Sequence, residues 1–415
     1  MVSRLRWVIL GLLFAATAIS YIDRQTLSVI APVLRDELGI TNSDYAFVLS
    51  CFLFAYTVMQ AAAGWLIDRF GTRFGFAVIM LWWSVATMLH ALGDDVTSFA
   101  IYRVLLGAGE AGSWAACVKA VAEWFPARER GMANSLWGFG VSVGQIVSVP
   151  LVAWITIVLD WRLAFVFTGL IGFIWLIAWL RYYHLPAADS DPPAAAQDPP
   201  PADPSPPSEG AGYLALLKTR NVWVVVLIRV LVDPCIWFYN YWIPTYLSQG
   251  AGFSMADIGK YAWIPFTFQG AGLLLGGFLS DLLCRRGRSL FAARFTIMMI
   301  GIACAVPAFL IALDVAFGVT FMAICMAMLG FGLWAPNVMT LIGDAFPNRV
   351  VGTVTGLSGM GAGFGGMLFM LVAGRVIEAQ GFGPMFVAAA VIPISAVLLL
   401  YFGFSRRPEA MAGSL

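Results

Sequence analysis

The sequence predicts an all-α membrane protein in which twelve transmembrane helices form two pseudo-symmetric bundles of six. Three observations lead to this prediction. Of the 415 residues, 60% are hydrophobic and only 11% are charged, which is too apolar for an ordinary soluble protein. The apolar runs reach about 20 residues, the length that a helix needs to cross about 30 Å of hydrocarbon. Motifs in the first half of the chain also recur in the second.

The predicted helices follow one another through short polar turns. The first six span 7–33, 45–67, 74–92, 97–124, 131–159 and 162–183, and the second six span 221–248, 257–283, 291–313, 315–345, 350–378 and 381–404. The start resembles a secretory signal, but its apolar run continues past Asp23 to Pro32. We therefore expect an uncleaved first helix.

A segment rich in proline and alanine, 184–212, separates the two sets of helices. It contains nine prolines and several acidic residues, but no lysine or arginine. Such a composition cannot form a packed core, so a disordered linker is expected. The predicted domains are an N-terminal bundle over 1–183 and a C-terminal bundle over 213–415.

Basic residues mark the orientation of the chain. Most lysines and arginines fall at alternate helix ends, on the side that holds both termini and the linker. The positive-inside rule places that side in the cytoplasm, so we expect a multi-pass protein of the inner (plasma) membrane with both termini cytoplasmic.

Three motifs of the first half recur in the second. They are Gly64-x-Leu66-x-Asp68 with Gly277-x-Leu279-x-Asp281, Leu106-Gly107-x-Gly109 with Leu329-Gly330-x-Gly332, and Glu123-x-Phe125-Pro126-x-Arg128 with Asp344-x-Phe346-Pro347-x-Arg349. The loop after Asp281 lacks the full first-half signature, so a weaker arrangement is expected there. Two related halves around a midplane site are typical of secondary transporters.

Four ionisable residues fall inside apolar helices: Asp23, Arg24, Arg103 and Glu110. Each charge at that depth costs roughly 2.5 to 3.5 kcal/mol on insertion scales, so such residues usually face the bundle interior or an aqueous cavity and act on ions or substrates. Asp23 and Arg24 are adjacent and point about 100° apart, so they need separate partners. We predict that Asp23 approaches Arg103 and that Arg24 approaches Glu110. The alternative is an ion network that only locks the helices together.

Further motifs carry a family resemblance. Gly64-Trp65-Leu66-Ile67-Asp68-Arg69-Phe70-Gly71-Thr72-Arg73 is similar to the loop signature of the major facilitator superfamily. Tyr21-Ile22-Asp23-Arg24, Gly107-x-Gly109-Glu110-Ala111 and Glu123-Trp124-Phe125-Pro126-x-Arg128-Glu129-Arg130 resemble its anion:cation symporter branch. Arg229-x-x-x-Asp233-Pro234, followed by Asn240-x-Trp242-Ile243-Pro244, looks most like the bacterial hexuronate and aldonate transporters.

The resemblance implies roles for the buried charges. Acids matching Asp23 and Glu110 are associated with proton coupling, and Tyr21 and Arg24 with the substrate. Arginine suits this role because its planar fork binds a carboxylate through two hydrogen bonds. A substrate carboxylate on Arg24 would release Glu110 to take up a proton. We place Arg103 with the proton-coupling residues.

Polar and aromatic residues elsewhere are candidates for contacts to substrate hydroxyls. The second-half positions that align with Asp23, Arg24 and Glu110 are uncharged, so we infer that the first half handles charge. The candidates are Gln145, Tyr239, Asn240, Trp334, Asn337 and Ser358. The alternatives are ordinary helix packing for the aromatic residues and interhelical hydrogen bonds for the polar ones.

A second group of charges is predicted to act as gates or structural ties. Arg229 and Asp233 are read as a structural or gating pair. At the cytoplasmic helix ends the candidates are Asp68, Arg69, Arg73, Lys119, Glu123, Arg128 and Arg130. The alternatives are a solvated positive-inside loop and, for Lys119, a side chain that extends to the membrane surface.

The sequence thus predicts a proton-coupled symporter that imports a small hydroxylated organic anion, preferably a hexuronate or aldonate. An organophosphate exchanger and a multidrug exporter remain alternatives. An enzyme is not expected, because it would need a nucleophile with a base or a metal cluster. His90 and His184, in apparently peripheral positions, supply neither. Six cysteines without a Cys-x-x-Cys pair predict no metal or other cofactor, and a net charge of +1 predicts no nucleic-acid partner. The expected partners are the anion, protons and the lipid bilayer around a monomer.

Overall fold

The computed structural model describes residues 2–184, 216–313, 315–346 and 348–404, without the side chains of 2–4, 61, 127, 128, 131, 348 and 349. This part of the chain is helical and contains no strand. Except for His184, the predicted linker 184–212 lies outside the described residues, so the predicted domain boundaries stay a prediction.

The described chain forms two compact units. The first contains residues 2–184 together with Gly252–Trp263, and the second contains residues 216–251 together with those from Ile264 onward. In each repeated motif of the sequence, the first copy lies in the first unit and the second copy in the second unit.

Seven long or medium helices and one short helix build the first unit. They are α1 (Val2–Leu38), α2 (Asn42–Leu89), α3 (Val96–Glu110), α4 (Ser113–Trp124), α5 (Ala127–Gly138), α6 (Gly140–Val158) and α7 (Trp161–Tyr182), with the short α9 (Met255–Tyr261) packed on α6 and a 3-10 turn at His90–Leu92. Capping boxes at Thr41 with Asp44 and at Asp95 with Ser98 fix the starts of α2 and α3.

The second unit contains six long helical segments. They are α8 (Arg220–Gln249), α10 (Ile264–Arg285), α11 (Leu290–Ala305) with a 3-10 extension at Val306–Leu313, α12 (Phe317–Ala345), α13 (Asn348–Gln380) and α14 (Gly383–Gly403). The described residues hold ten segments long and apolar enough to span a membrane. The other two predicted spans correspond to the first half of α2 and to the α3–α4 pair.

Glycines explain where the helix boundaries differ from those predicted. The second and third predicted spans are merged in α2, but Gly71 separates them with φ 77° and ψ 158°, a left-handed region that favours glycine. The fourth predicted span, 97–124, is divided into α3 and α4. The division lies at Gly112, where an added Cβ would approach the Ala63 Cβ of α2 to 2.9 Å. Close contact with α2 therefore accompanies the break.

Candidate functional site

A buried ion pair joins α1 to α3. Arg24 Nε lies 2.5 Å from Glu110 Oε2, and the two side chains are only 9% and 0% exposed. Ser20 on α1 donates a second hydrogen bond to the same oxygen, at 3.0 Å. The structure therefore contains the contact between Arg24 and Glu110 that the sequence predicted.

Aromatic rings surround the Arg24 guanidinium. Its Cζ lies 4.9 Å from the ring centroid of Tyr21, 5.0 Å from that of Phe52 and 4.7 Å from that of Tyr56. These distances are within the range of cation–π attraction. Phe52 and Tyr56 were not predicted as part of the site, although their spacing of four residues on α2 indicates one helix face.

The charge of Arg103 acts on Asp23, which the sequence predicts to approach that arginine. The Asp23 side chain is buried, and neither carboxylate oxygen makes a hydrogen bond of normal geometry within the described residues. Its polar neighbours include the hydroxyls of Thr87 on α2 and Thr168 on α7.

Two glycines allow the helices that carry these residues to approach closely. A Cβ at Gly107 of α3 would lie 2.5 Å from Phe52 O of α2, and a Cβ at Gly140 of α6 would lie 2.6 Å from Phe14 O of α1. Only glycine fits such contacts without a shift of the backbone. The glycines therefore bring α1, α2, α3 and α6 together around the buried charges.

Gln145 lies where α6 passes Tyr21. At the preceding position, Gly144, a Cβ would lie 3.0 Å from Tyr21 Cβ. Gln145 is buried, and its Oε1 has no hydrogen-bond partner in the described structure. The predicted binding role of Gln145 stays a prediction.

The second unit has a buried ion pair of its own. Arg229 and Asp233, one helical turn apart on α8, are paired at 2.9 Å with side chains 11% and 12% exposed. Arg229 Nη1 also donates to Ser358 Oγ of α13 at 3.0 Å, and Ser358 donates to Thr355 O. Ser358, predicted as a substrate contact, is thus a partner of Arg229, so charge is not confined to the first unit.

Two aromatic candidates are fully buried in the second unit. Tyr239 packs edge-on against Phe331 and Phe386, with ring centroids 5.4 Å apart in both pairs. Its hydroxyl and the indole N–H of Trp334 have no hydrogen-bond partner within the described residues. Both side chains therefore retain unused polar atoms beside their apolar contacts.

The two asparagine candidates have different surroundings. Asn337 Nδ2 donates to Gly276 O of α10 at 3.0 Å and to Leu333 O of its own helix at 2.9 Å. Asn337 therefore ties α12 to α10, and its Oδ1 accepts no hydrogen bond from the described part of the chain. Asn240 is buried in α8.

At the helix ends of the first unit that the sequence predicts to be cytoplasmic, charged side chains connect neighbouring helices. Lys119 Nζ lies 2.7 Å from Asp68 Oδ1. Glu123 accepts hydrogen bonds from Thr72 Oγ1, at 2.7 Å, and from the Tyr183 hydroxyl. Burial, reinforced by Glu123, raises the pKa of the Tyr183 phenol, so this hydroxyl stays protonated and donates.

The arginines of this region bind mainly to backbone or rings. Arg73 Nη2 donates to Leu180 O at 2.6 Å, and Arg130 Nε donates to Phe125 O at 3.0 Å. Arg69 lies over the Trp65 ring, 5.7 Å from its centroid. The Arg128 side chain lies outside the described residues. The predicted gating role of these residues stays a prediction.

The second unit has a corresponding cluster that the sequence analysis did not identify. Arg294 Nη1 lies 2.8 Å from Asp281 Oδ1 and 2.6 Å from Ser280 Oγ, and Arg294 Nε lies 3.3 Å from Asp344 Oδ2. Asp281 and Asp344 are the repeat partners of Asp68 and Glu123. A recurring acidic pair with a buried arginine nearby is the signal that could have identified the cluster.

His90 is not peripheral, contrary to the sequence analysis. It is fully buried at the end of α2, its Nδ1 lies 2.8 Å from Ala86 O, and its ring stacks on Phe165 with centroids 5.0 Å apart. The described structure contains no group of three or more histidine, cysteine, aspartate or glutamate side chains that could hold a metal ion.

Helical spans with an arginine and a glutamate paired in the interior of one unit are the features of a secondary transporter. Residues 13–360 match the Major Facilitator Superfamily, and the chain belongs to this superfamily of membrane transporters. It is therefore a multi-pass transport protein and not an enzyme.

Relatives refine this assignment. The chain is 31% identical over 410 residues to the hexuronate transporter of Escherichia coli K12, an alignment that covers 97% of this chain and 95% of the relative. It is 30% identical over 417 residues to the D-galactonate transporter of Escherichia coli O6:H1, with coverage of 96% and 94%. The predicted resemblance to hexuronate and aldonate transporters is confirmed.

A solved structure shows the same fold. The D-xylose-proton symporter superposes with a TM-score of 0.76 at 15% identity, and the match covers 99% of each chain. The predicted major facilitator fold, with twelve helices in two bundles, is confirmed.

Proposed function

We propose that this protein imports a small hydroxylated carboxylate, a hexuronate or an aldonate, by proton-coupled symport through alternating access. A hexuronate transporter and a D-galactonate transporter align with nearly the whole chain. The observation that carries the proposal is the buried Arg24–Glu110 pair with its aromatic surroundings.

Arg24 is the proposed anion-binding group. Its guanidinium is a fixed positive charge in the interior of the unit, and the rings of Tyr21 and Tyr56 lie close to it. A substrate carboxylate can replace the Glu110 carboxylate on Arg24 because both present the same pair of oxygen acceptors. Tyr21 and Gln145 are proposed to bind substrate hydroxyls nearby.

Proton coupling follows from the competition for Arg24. When a substrate carboxylate takes Arg24, Glu110 loses its counter-ion in a buried environment, where an unpaired charge is costly. Uptake of a proton by Glu110 removes that charge. Asp23, buried without an ion-pair partner among the described residues, is proposed as the second proton carrier.

The proposed setting is that predicted from the sequence. The transporter lies in the inner membrane with both termini cytoplasmic, as the distribution of basic residues favours. We propose a monomer that requires lipid, an organic anion and protons, and no cofactor.

Counterflow in proteoliposomes tests the substrate class. Vesicles loaded with unlabelled compound are assayed for exchange of labelled glucuronate, gluconate, a sugar phosphate or a lipophilic cation. Wild type is expected to exchange the two sugar acids only. Arg24→Ala is expected to lose exchange by about a hundredfold, the effect of leaving a buried charge unpaired. The control is Arg162→Ala, because Arg162 forms a largely exposed pair with Asp94. Preferred exchange of the phosphate or the cation, or full activity of Arg24→Ala, would contradict the proposal.

A further inference from the structure

One oxygen of Glu110 takes both of the carboxylate's hydrogen bonds. Oε2 accepts from Arg24 Nε at 2.5 Å and from Ser20 Oγ at 3.0 Å. Oε1 is buried and accepts no hydrogen bond from the described residues. Ser20 and Arg24 are four residues apart on α1, so they reach Glu110 from one face of that helix.

Ser20 uses its hydroxyl differently from two other hydroxyl residues of α1. Thr17 Oγ1 donates to Leu13 O at 3.1 Å and Thr26 Oγ1 donates to Ile22 O at 2.8 Å, the local backbone bond that hydroxyls commonly make within helices. Ser20 instead donates across to α3. The Ser20 contact is therefore an interhelical one, directed at the carboxylate.

The two partners of Glu110 differ in what they can bind. A guanidinium only donates hydrogen bonds, whereas a hydroxyl both donates and accepts. Arg24 can therefore donate to the carboxylate, but it cannot accept from the O–H of the carboxylic acid. Ser20 can donate to the carboxylate and can also accept from the O–H of the carboxylic acid.

We propose that Ser20 is a positioning residue that holds Glu110 through the exchange of Arg24 for a proton. When Arg24 moves to the substrate, a proton bonds to Glu110 Oε2. The new O–H donates to Ser20 Oγ, whose own hydrogen turns to the backbone carbonyl of the preceding turn. This inference rests on the proposed proton-coupled function and assigns to Ser20 a role in it.

The charged groups that act on Glu110 in the described structure come from two helices. They are Arg24 and Asp23 on α1 and Arg103 on α3, while α2 contributes the uncharged rings of Phe52 and Tyr56 around Arg24. A hydrogen bond to an ionised group is about twice as strong as one between neutral groups. Loss of Ser20 therefore costs the ionised form of Glu110 more than the protonated form.

The pH dependence of proton-driven uptake tests the proposal. In Ser20→Ala, Glu110 takes up its proton at higher pH, so the pH of half-maximal uptake rises by roughly half a unit to one unit. Ser20→Thr, which keeps a hydroxyl, and Thr17→Val, which removes a hydroxyl that donates to Leu13 O of its own helix, are expected to keep the wild-type profile. A Ser20→Ala profile that overlaps the wild type, or an equal shift in Thr17→Val, would overturn it.

Infrared titration gives a readout that does not depend on transport. The carboxylic-acid C=O band of Glu110 is assigned by its loss in Glu110→Gln. Ser20→Ala is expected to change the frequency of that band and raise its titration midpoint, and an unchanged band and midpoint would overturn the role of Ser20. If wild type instead fails to take up any sugar acid with a proton gradient, the proposed function fails, and the infrared result still decides on Ser20.

Discussion

At the scale of single residues, Arg24 is held by two kinds of contact. Glu110 binds an edge of its guanidinium, and the rings of Tyr21, Phe52 and Tyr56 lie near it. A buried cation without a partner is costly, and a paired one is tolerated. These contacts explain how a charge remains in the interior of an apolar bundle and stays ready for an anion.

The ring of Tyr56 is expected to contribute to anion binding. In Tyr56→Leu the guanidinium loses a cation–π contact of about 0.5 to 2 kcal/mol, so the half-saturation concentration in glucuronate counterflow rises by roughly 2- to 30-fold. The matched control is Phe54→Leu, because Phe54 lies on the same helix with its side chain exposed. Equal half-saturation concentrations in Tyr56→Leu and wild type would show that the ring has no part in binding.

At this scale the sequence predicted the pair of Arg24 and Glu110 that the structure contains. The pairing of Arg24 with Glu110 was correct because a charge inside an apolar helix is costly unless an opposite charge lies beside it. For Asp23 the same reasoning named Arg103, whose charge does act on it, but did not predict the neutral hydroxyls of Thr87 and Thr168 beside it. Ser20 was missed because a serine on an apolar helix does not differ in sequence from one that bonds to its own backbone.

At the scale of helices, glycines set the distance between the elements that carry the site. Gly140 lets α6 lie against α1 at Phe14, while Gly138, two residues earlier, has nothing within 4 Å of the position its Cβ would take. Replacing each glycine by alanine therefore compares the effect of a close helix contact with the effect of helix propensity alone.

Gly140→Ala is expected to lower both thermal stability in detergent and sugar-acid exchange. The added methyl overpacks the contact, at a cost of about 1 to 3 kcal/mol, and moves α6 away from α1. Gly138→Ala meets no neighbouring atom and gains helix propensity, so its melting temperature is expected to equal or exceed that of wild type. Similar behaviour of the two variants would show that the contact does not position the site.

Arg294 is expected to stabilise the second unit. Arg294→Gln removes the charge that Asp281 and Asp344 share, and the free energy of unfolding falls by about 1 to 3 kcal/mol, a value kept small because Asp281 is 62% exposed. The control is Arg288→Gln, since Arg288 is an exposed residue of the loop between α10 and α11. Thermal unfolding in detergent measures both, and identical melting curves would contradict this role.

Helix ends were harder to predict than helices. Apolar length located the spans, but the break between α3 and α4 accompanies a close contact of Gly112 with Ala63, which no local pattern in 97–124 contains. The left-handed Gly71 likewise separates two spans within one hydrogen-bonded helix. The first feature involves a neighbouring helix and the second a backbone conformation, and neither follows from apolar length.

At the scale of the whole molecule, the composition and the repeated motifs were sufficient for the fold class. The 60% hydrophobic content and the recurring Leu-Gly-x-Gly and Phe-Pro motifs predicted a two-bundle membrane protein, and the superfamily match agrees. Substrate and coupling are less accessible from sequence because they depend on the few side chains around Arg24.

The orientation of the chain can be tested at the linker. A protease recognition site inserted after Ala195 is expected to be cut in inside-out vesicles and protected in right-side-out vesicles, because the basic residues place the linker in the cytoplasm. A site inserted after Gly93, in the turn before α3, is expected to behave oppositely. Cleavage of the linker site in sealed right-side-out vesicles would contradict the orientation.

The central claim is that buried acids of the first unit couple proton flow to the movement of a sugar acid. The most direct measurement is uphill accumulation of glucuronate driven by an inward proton gradient, with counterflow measured beside it, for wild type, Asp23→Asn, Glu110→Gln and the double variant. Wild type is predicted to concentrate glucuronate, and the double variant to exchange it without concentrating it. Accumulation above equilibrium by the double variant would contradict the claim.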